Sequence, residues 1–123
     1  VINGDGSNSR DFTYVANVVE ANLLAGTVEN PEALNTAYNI AAGRATTLTD
    51  LFDLLKSELA KYDPAVAGIR PEFGPERAGD IPHSLADISK AETLLGYRPE
   101  FDARTGFALA AEWYFKNAGE HAE

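Results

Sequence analysis

Cysteine and methionine are absent from this 123-residue chain, and histidine occurs only at positions 83 and 121. Without cysteine there can be no disulfide framework and no thiolate metal site. His83 and His121 are too few and too far apart to suggest zinc. No apolar run nears the roughly 20 residues of a membrane-spanning helix, and no secretory leader pattern opens the chain, which favours a cytoplasmic setting. Cations are scarce too: 10 Lys and Arg stand against 19 Asp and Glu, for a net charge of −9. That argues against the dense basic face a nucleic acid or an anionic membrane would require. It leaves room for a phosphorylated ligand, because two or three arginines in one place outweigh distant, screened carboxylates.

What is present is ordinary for one globular domain: 45% hydrophobic and 24% charged residues. Residues 1–9 are rich in Gly, Asn, Ser and Asp and read as a loop. Asp11–Thr13 could form a short strand. Apolar residues then recur at helical spacing from Tyr14 to about Val28, ended by Asn30-Pro31. Thr36–Ala41 reads as a buried strand with Tyr38 and Ile40 as β-formers. Thr47 is placed to cap a helix, with Asp50 three residues on, and the helix should stop near Tyr62 because Pro64 disfavours helical backbone at Asp63. Val66–Ile69 and Ser84–Ala86 are further candidate strands. Between them Pro71–Pro82 reads as a long loop holding three of the six prolines. Asp87 is a plausible cap for a helix over Ile88–Leu95, with Gly96 as its stop. Asp102 can cap a last helix over about 103–117, with an inner stripe of Phe107, Leu109, Ala110, Trp113 and Tyr114. The terminal Glu120-His121-Ala122-Glu123 reads as a fraying tail. The fold class is α/β, mostly helical with two or three short strands, too few for a complete doubly wound sheet.

Two places could carry chemistry. Arg10 sits almost alone among cations, next to Asp11 and ahead of Phe12 and Tyr14; it suits a phosphate- or ring-bearing ligand, or it is paired with Asp11 or another surface acid. Arg77-Ala78-Gly79-Asp80 lies in the long loop. Gly79 permits a sharp turn that brings Arg77 and Asp80 to one side, so that the arginine could hold a diphosphate while the carboxylate accepts from sugar hydroxyls. The other reading is an internal Arg–Asp pair that ties the loop down. His83-Ser84 is a weak catalytic signal, and helix capping accounts for Asp87 better than a triad does.

Three blocks, in order, carry a resemblance: Ile2-Asn3-Gly4-Asp5-Gly6 leading to Ser9-Arg10-Asp11-Phe12-Thr13-Tyr14-Val15 and Asn17; Tyr38-Asn39-Ile40-Ala41 with Gly43; and Arg77-Ala78-Gly79-Asp80 leading to His83-Ser84-Leu85-Ala86-Asp87-Ile88-Ser89-Lys90 and Gly96-Tyr97-Arg98-Pro99. Together they resemble the C-terminal part of an extended short-chain dehydrogenase/reductase, within it the nucleotide-sugar epimerases, and among those the bacterial UDP-N-acetylglucosamine 4-epimerases. The resemblance implies that Arg10 and Arg77 contact the diphosphate of a UDP-sugar and that Asp80 bonds the ribose. Phe12 stands where some relatives have Tyr, and Arg44 departs from the Gly-Asp-Arg turn of close relatives, so neither is assigned a contact.

The resemblance also implies parts that this sequence lacks. There is no Gly-rich strand-to-helix turn for NAD. No tyrosine is followed four residues on by lysine: the residues found there are Val18, Ala42, Val66, Phe101 and Ala118. In such enzymes a tyrosinate, its pKa lowered by that lysine, removes a hydroxyl proton while NAD takes a hydride from the sugar C4 and returns it to the other face. The expectation is therefore a substrate-binding portion spanning residues 1–123, without the N-terminal NAD-binding domain and inactive alone. Its parent would be a homodimer, and the fragment is expected to self-associate, exchange strands or lack local order over residues 1–13 where the Thr36–Ala41 strand has no neighbours. A nucleotide-sugar dehydratase or decarboxylase is the alternative within the class; a stand-alone nucleotide- or anion-binding module is the alternative outside it.

Overall fold

Four helices carry the architecture, and four two-residue strands fasten its loops. The structure, a computed structural model, describes residues 1–117; His121 and the terminal Glu120–Glu123 lie outside the described residues. The order is β1 (Ile2–Asn3), β2 (Ser9–Arg10), α1 (Val15–Thr27), a 3-10 turn (Pro31–Ala33), β3 (Thr46–Thr47), α2 (Leu48–Leu59), a second 3-10 turn (Pro64–Gly68), β4 (Phe73–Gly74), α3 (Ser89–Leu95) and α4 (Ala103–Asn117).

Local chemistry explains the helix ends. Thr47 caps α2: its Oγ1 accepts from the Asp50 amide at 3.0 Å and donates to the Asp50 carboxylate at 2.7 Å. The next amides at that end are satisfied by loop carbonyls, Leu48 N–H by Asn8 O at 2.9 Å and Thr49 N–H by Gly6 O at 3.1 Å. Asp102 caps α4 by accepting from Thr105 N–H at 2.8 Å. Asp87 accepts from Ser89 N–H at 2.9 Å, but α3 begins at Ser89 and its N-cap is Ile88, not Asp87; it ends as expected at Gly96 in the left-handed conformation. Asp63 accepts from Ala65 N–H, and Pro64 begins a 3-10 turn there, so Val66–Ile69 is not the strand expected.

Strand expectations fail elsewhere for a shared reason: a strand needs a ladder partner. Asp11–Thr13 and Ser84–Ala86 have none, although His83 just before makes an isolated parallel bridge to Ser9. Thr36–Ala41 is unpaired among the described residues and is held by side chains instead. Tyr38 Oη donates to Ala33 O (2.7 Å), Asn39 Nδ2 to Asp87 O (3.2 Å), Lys90 Nζ to Ala37 O (3.0 Å) and Tyr97 Oη to Ala41 O (2.9 Å). The two regions expected to be free loop are the ones that pair. β1 runs parallel to β4, with Ile2 opposite Phe73, and β2 runs antiparallel to β3, with Ser9 opposite Thr47 and Arg10 opposite Thr46.

The core lies where α1, α3 and the first 3-10 turn meet: Ala21, Ala33, Ala91, Leu95 and Tyr97 are buried, with Leu24, Val28, Tyr38 and Ile40 packed against them. In α1 the buried face runs Asn17, Ala21, Leu24, Val28, a helical period. Val15, Val19 and Leu23, on another face, are 65%, 54% and 65% exposed. Asn17 is fully buried and acts as a backbone mimic: its Nδ2 donates to Phe101 O (2.7 Å) and its Oδ1 accepts from Phe101 N–H (3.0 Å). In α4 the inner positions are Gly106 and Ala111, while Leu109, Trp113 and Tyr114 are exposed. The expected stripe is displaced because Gly106 lets the helix approach Tyr14, where a Cβ would stand 2.8 Å from the Tyr14 Cβ. Phe107 still packs edge-on against Phe12, with centroids 5.6 Å apart.

Candidate functional site

The site grows from β2. Ser9 is hydrogen-bonded on both sides: it pairs with Thr47 of β3, and on its other edge Ser9 N–H donates to Pro82 O (2.8 Å) while Ser84 N–H donates to Ser9 O (3.1 Å). The segment 82–84 is thereby laid beside Ser9-Arg10. Asp80, two residues earlier, meets the Arg10 guanidinium, Nη2 to Oδ1 at 2.6 Å. Arg10 Nη1 donates to Ser9 O at 2.8 Å and to Pro82 O at 3.4 Å. Asn8 Nδ2 donates to the second Asp80 oxygen at 3.3 Å. Both charged side chains are about a third exposed, 32% and 31%, so the pair is fixed in direction yet reachable from solvent.

Arg77 joins this group through the backbone alone. Asp80 N–H donates to Arg77 O at 3.2 Å, closing a four-residue turn. Gly79 occupies its third position with φ +79°, a conformation that suits glycine because it has no Cβ. The sharp turn expected at Gly79 is there. The Arg77 side chain is exposed, and among the described residues its guanidinium makes no ion pair or hydrogen bond. Of the three candidate residues, the fold joins Arg10 to Asp80 and leaves Arg77 facing solvent one turn away. Of the pairings weighed from sequence, Arg10 with another surface acid forms, that acid being Asp80; Arg10 with Asp11 and Arg77 with Asp80 do not, because Asp11 is engaged elsewhere and Asp80 is taken by Arg10. Asp11 accepts from the amides of Ala42 and Gly43, each at 3.0 Å, and fastens the β2 segment to the turn before β3. The sequence signal for that role was an acid next to Arg10 and a glycine turn thirty residues on, which nothing local connects.

Three cavities, of about 590, 270 and 200 Å³, lie beside the α3–α4 connector, the Arg44 turn and the Phe12–Gly106 contact. Arg10, Arg77 and Asp80 are not among the residues lining these three cavities. In the polar cavity Asp87 is held below the usual carboxylate range by its hydrogen bonds from Ser89. Asp102 is lowered in the same way by the Thr105 amide, helped by Arg44 and Arg104. Asp102 caps α4, whereas Asp87 stands one residue ahead of Ile88, the N-cap of α3.

The described residues do not make a dinucleotide cradle. The α2 N-terminus has its first amides taken by Asn8 O, Gly6 O and Thr47 Oγ1. The approach to α1 is Asp11-Phe12-Thr13-Tyr14, without glycine. No cluster of three metal-ligating side chains and no helix long and apolar enough to cross a membrane occurs among the described residues.

No family model matches the chain. Solved structures and curated proteins do. The UDP-glucose 4-epimerase of Thermotoga maritima, solved with UDP-glucose, is 38% identical with a TM-score of 0.78, covering 95% of this chain and 35% of that one. The UDP-N-acetylglucosamine 4-epimerase of Methanobrevibacter ruminantium, in complex with UDP-N-acetylmuramic acid, is 32% identical with a TM-score of 0.78, covering 94% and 34%. MoeE5, in complex with UDP-glucuronic acid and NAD, is 31% identical with a TM-score of 0.73, covering 94% and 36%. Among curated relatives, the UDP-glucose 4-epimerase of Mycolicibacterium smegmatis is 31% identical over 117 residues, 95% of this chain. The chain spans about a third of the length of the curated relatives it matches, 34% of each of the first two.

Sequence and fold together place the chain in the extended short-chain dehydrogenase/reductase class, as a C-terminal portion. Within that class the proteins it matches, over about a third of their length, are nucleotide-sugar 4-epimerases.

Proposed function

We propose that this chain is the nucleotide-gripping portion of an NAD-dependent UDP-sugar 4-epimerase, with a UDP-glucose or UDP-N-acetylglucosamine type substrate, and that alone it does not turn over. Arg10 and Arg77 hold the diphosphate, and Asp80 accepts from the ribose hydroxyls. The observation that carries this reading is the meeting of Arg10 and Asp80 across 70 residues of chain, beside the turn that aims Arg77 at solvent. A paired Arg10 and Asp80, with a second arginine on the adjoining turn, match a ligand with a dianionic centre and neutral hydroxyls.

NAD and the proton-transferring residues would be held by the remainder of the parent, since the described residues offer no cradle for the dinucleotide. The doubly apolar α1, with Val15, Val19 and Leu23 exposed, supports a further partner surface there. This portion would contribute binding energy from the unreactive UDP handle, which orients the sugar for chemistry on the other half.

The test is a titration of the chain with UDP, followed by amide chemical shifts. Binding is expected near the millimolar range, about −4 kcal/mol. Arg10→Ala and Arg77→Ala should each weaken it by about tenfold or more, the worth of one charge-assisted contact. Absence of any saturable shift would overturn the reading. Micromolar affinity abolished by Arg77→Ala would instead favour an autonomous nucleotide-binding module. Epimerised product from UDP-glucose with added NAD would refute the inactivity.

A further inference from the structure

Ser9 is 6% exposed, yet its hydroxyl is not idle: Ser9 Oγ lies 3.0 Å from His83 Nδ1. The same two residues form the isolated parallel bridge, flanked by the Ser9 N–H to Pro82 O and Ser84 N–H to Ser9 O bonds. The 82–84 segment is therefore joined to Ser9 by two backbone bonds and one side-chain bond, and Arg10 Nη1 adds a longer one to Pro82 O. Ser9 immediately precedes Arg10, and the segment it holds begins two residues after Asp80. His83 itself is exposed, so its ring contributes little to the core.

The geometry points to Ser9–His83 as a positioning pair that sets the spacing between Arg10 and the Arg77–Asp80 turn. It rests on the nucleotide-grip reading above and adds to it a reason for the loop's placement. A long Pro/Gly loop with a glycine-dependent turn has many arrangements open to it, and ordering it at the moment of binding would reduce affinity. The Ser9–His83 bond selects one arrangement before a ligand arrives. The Ser9 hydroxyl can donate to or accept from Nδ1, according to the tautomer of the ring. Neither residue is assigned a ligand contact in the grip reading, so the pair is a positioning pair.

The test compares His83→Ala, His83→Asn and Ser9→Ala in the same chain. An asparagine amide can reach the position of Nδ1, so His83→Asn should keep the bond, and the exposed His83 site tolerates either change without loss of folding. In the ligand-free protein, His83→Ala should shift the Gly79 and Asp80 amide resonances and release the Arg10 Nη–H signals, held by Ser9 O and Asp80, to fast exchange; His83→Asn should restore both. With UDP as probe, His83→Ala and Ser9→Ala should bind about tenfold more weakly, and His83→Asn close to wild type. Ligand-free signals of Gly79, Asp80 and Arg10 that are the same in His83→Ala as in wild type would overturn the inference. So would equal UDP affinity in the two proteins, or failure of His83→Asn to restore what His83→Ala loses. A wild-type chain that shows no UDP binding but does show the ligand-free coupling would sink the grip reading and leave the positioning pair standing.

Discussion

Replacing Asn17 by alanine should cost more stability than any exposed substitution on the same helix. The side chain is wholly buried and satisfies both backbone groups of Phe101, the N–H at 3.0 Å and the C=O at 2.7 Å. Asn17→Ala strands both groups. Each unsatisfied buried group costs about 1–3 kcal/mol. Phe101 is only half-buried, so water recovers part of this, and about 2–4 kcal/mol remains. Against a total of about 5–15 kcal/mol for a typical domain, that is a large fraction. Urea unfolding followed by far-ultraviolet circular dichroism should show a midpoint lower by roughly 1–2 M at unchanged slope. Asn17→Asp sharpens the test. It keeps the acceptor for Phe101 N–H but sets an anionic oxygen against Phe101 O. It should be destabilising at neutral pH and recover as acid protonates the carboxyl and restores a donor. An Asn17→Ala midpoint equivalent to within about 0.5 kcal/mol of wild type would refute the backbone-mimic account.

Three further outcomes are expected. Gly106→Ala should destabilise by about 1–3 kcal/mol despite the better helix propensity of alanine, because the new Cβ meets the Tyr14 Cβ at 2.8 Å; thermal unfolding measures the balance, and a stabilised variant would contradict the packing. Burial, then the charges of Glu20 and Asp11, raise the Tyr97 pKa. A raised folded-state value means full stability below the unfolded tyrosine's pKa of about 10 and a loss as pH climbs beyond it; Tyr97→Phe should lose about 1 kcal/mol through the stranded Ala41 carbonyl but lack that alkaline decline. Asp102, lowered by the Thr105 amide, contributes above the ordinary carboxylate range and stops contributing as pH falls through its depressed value; Asp102→Ala should cost about 1 kcal/mol at neutral pH and converge on wild type in acid.

Helix signals were the legible part of the fold. The Thr47–Asp50 pairing, the Asp102 cap and the Gly96 stop are interactions among residues at most a few positions apart, so the local sequence encodes them. The strands were not legible, since pairing joins Ile2 to Phe73 and Ser9 to Thr47 across dozens of residues. Thr36–Ala41 has the composition of a strand, but composition cannot supply a partner. In α4 the aromatic residues suggested an inner stripe. A glycine decided otherwise, because only at Gly106 can the helix come close to Tyr14.

The candidate site divides in the same way. Arg10, Arg77 and Asp80 stood out in the sequence as charged residues in loops, and the Gly79 turn followed from glycine's lack of a side chain. By itself the sequence determined which residues could carry a nucleotide grip, where the helices begin, and which family the chain resembles. Tertiary structure alone decided that Asp80 pairs with Arg10 and not with Arg77, that Asp11 serves the Ala42–Gly43 turn, and that Ser9 bonds His83. The physical reason is range. Caps and turns are settled within a few residues, whereas an ion pair across 70 residues exists only after the backbone of β2 has been paired on both edges.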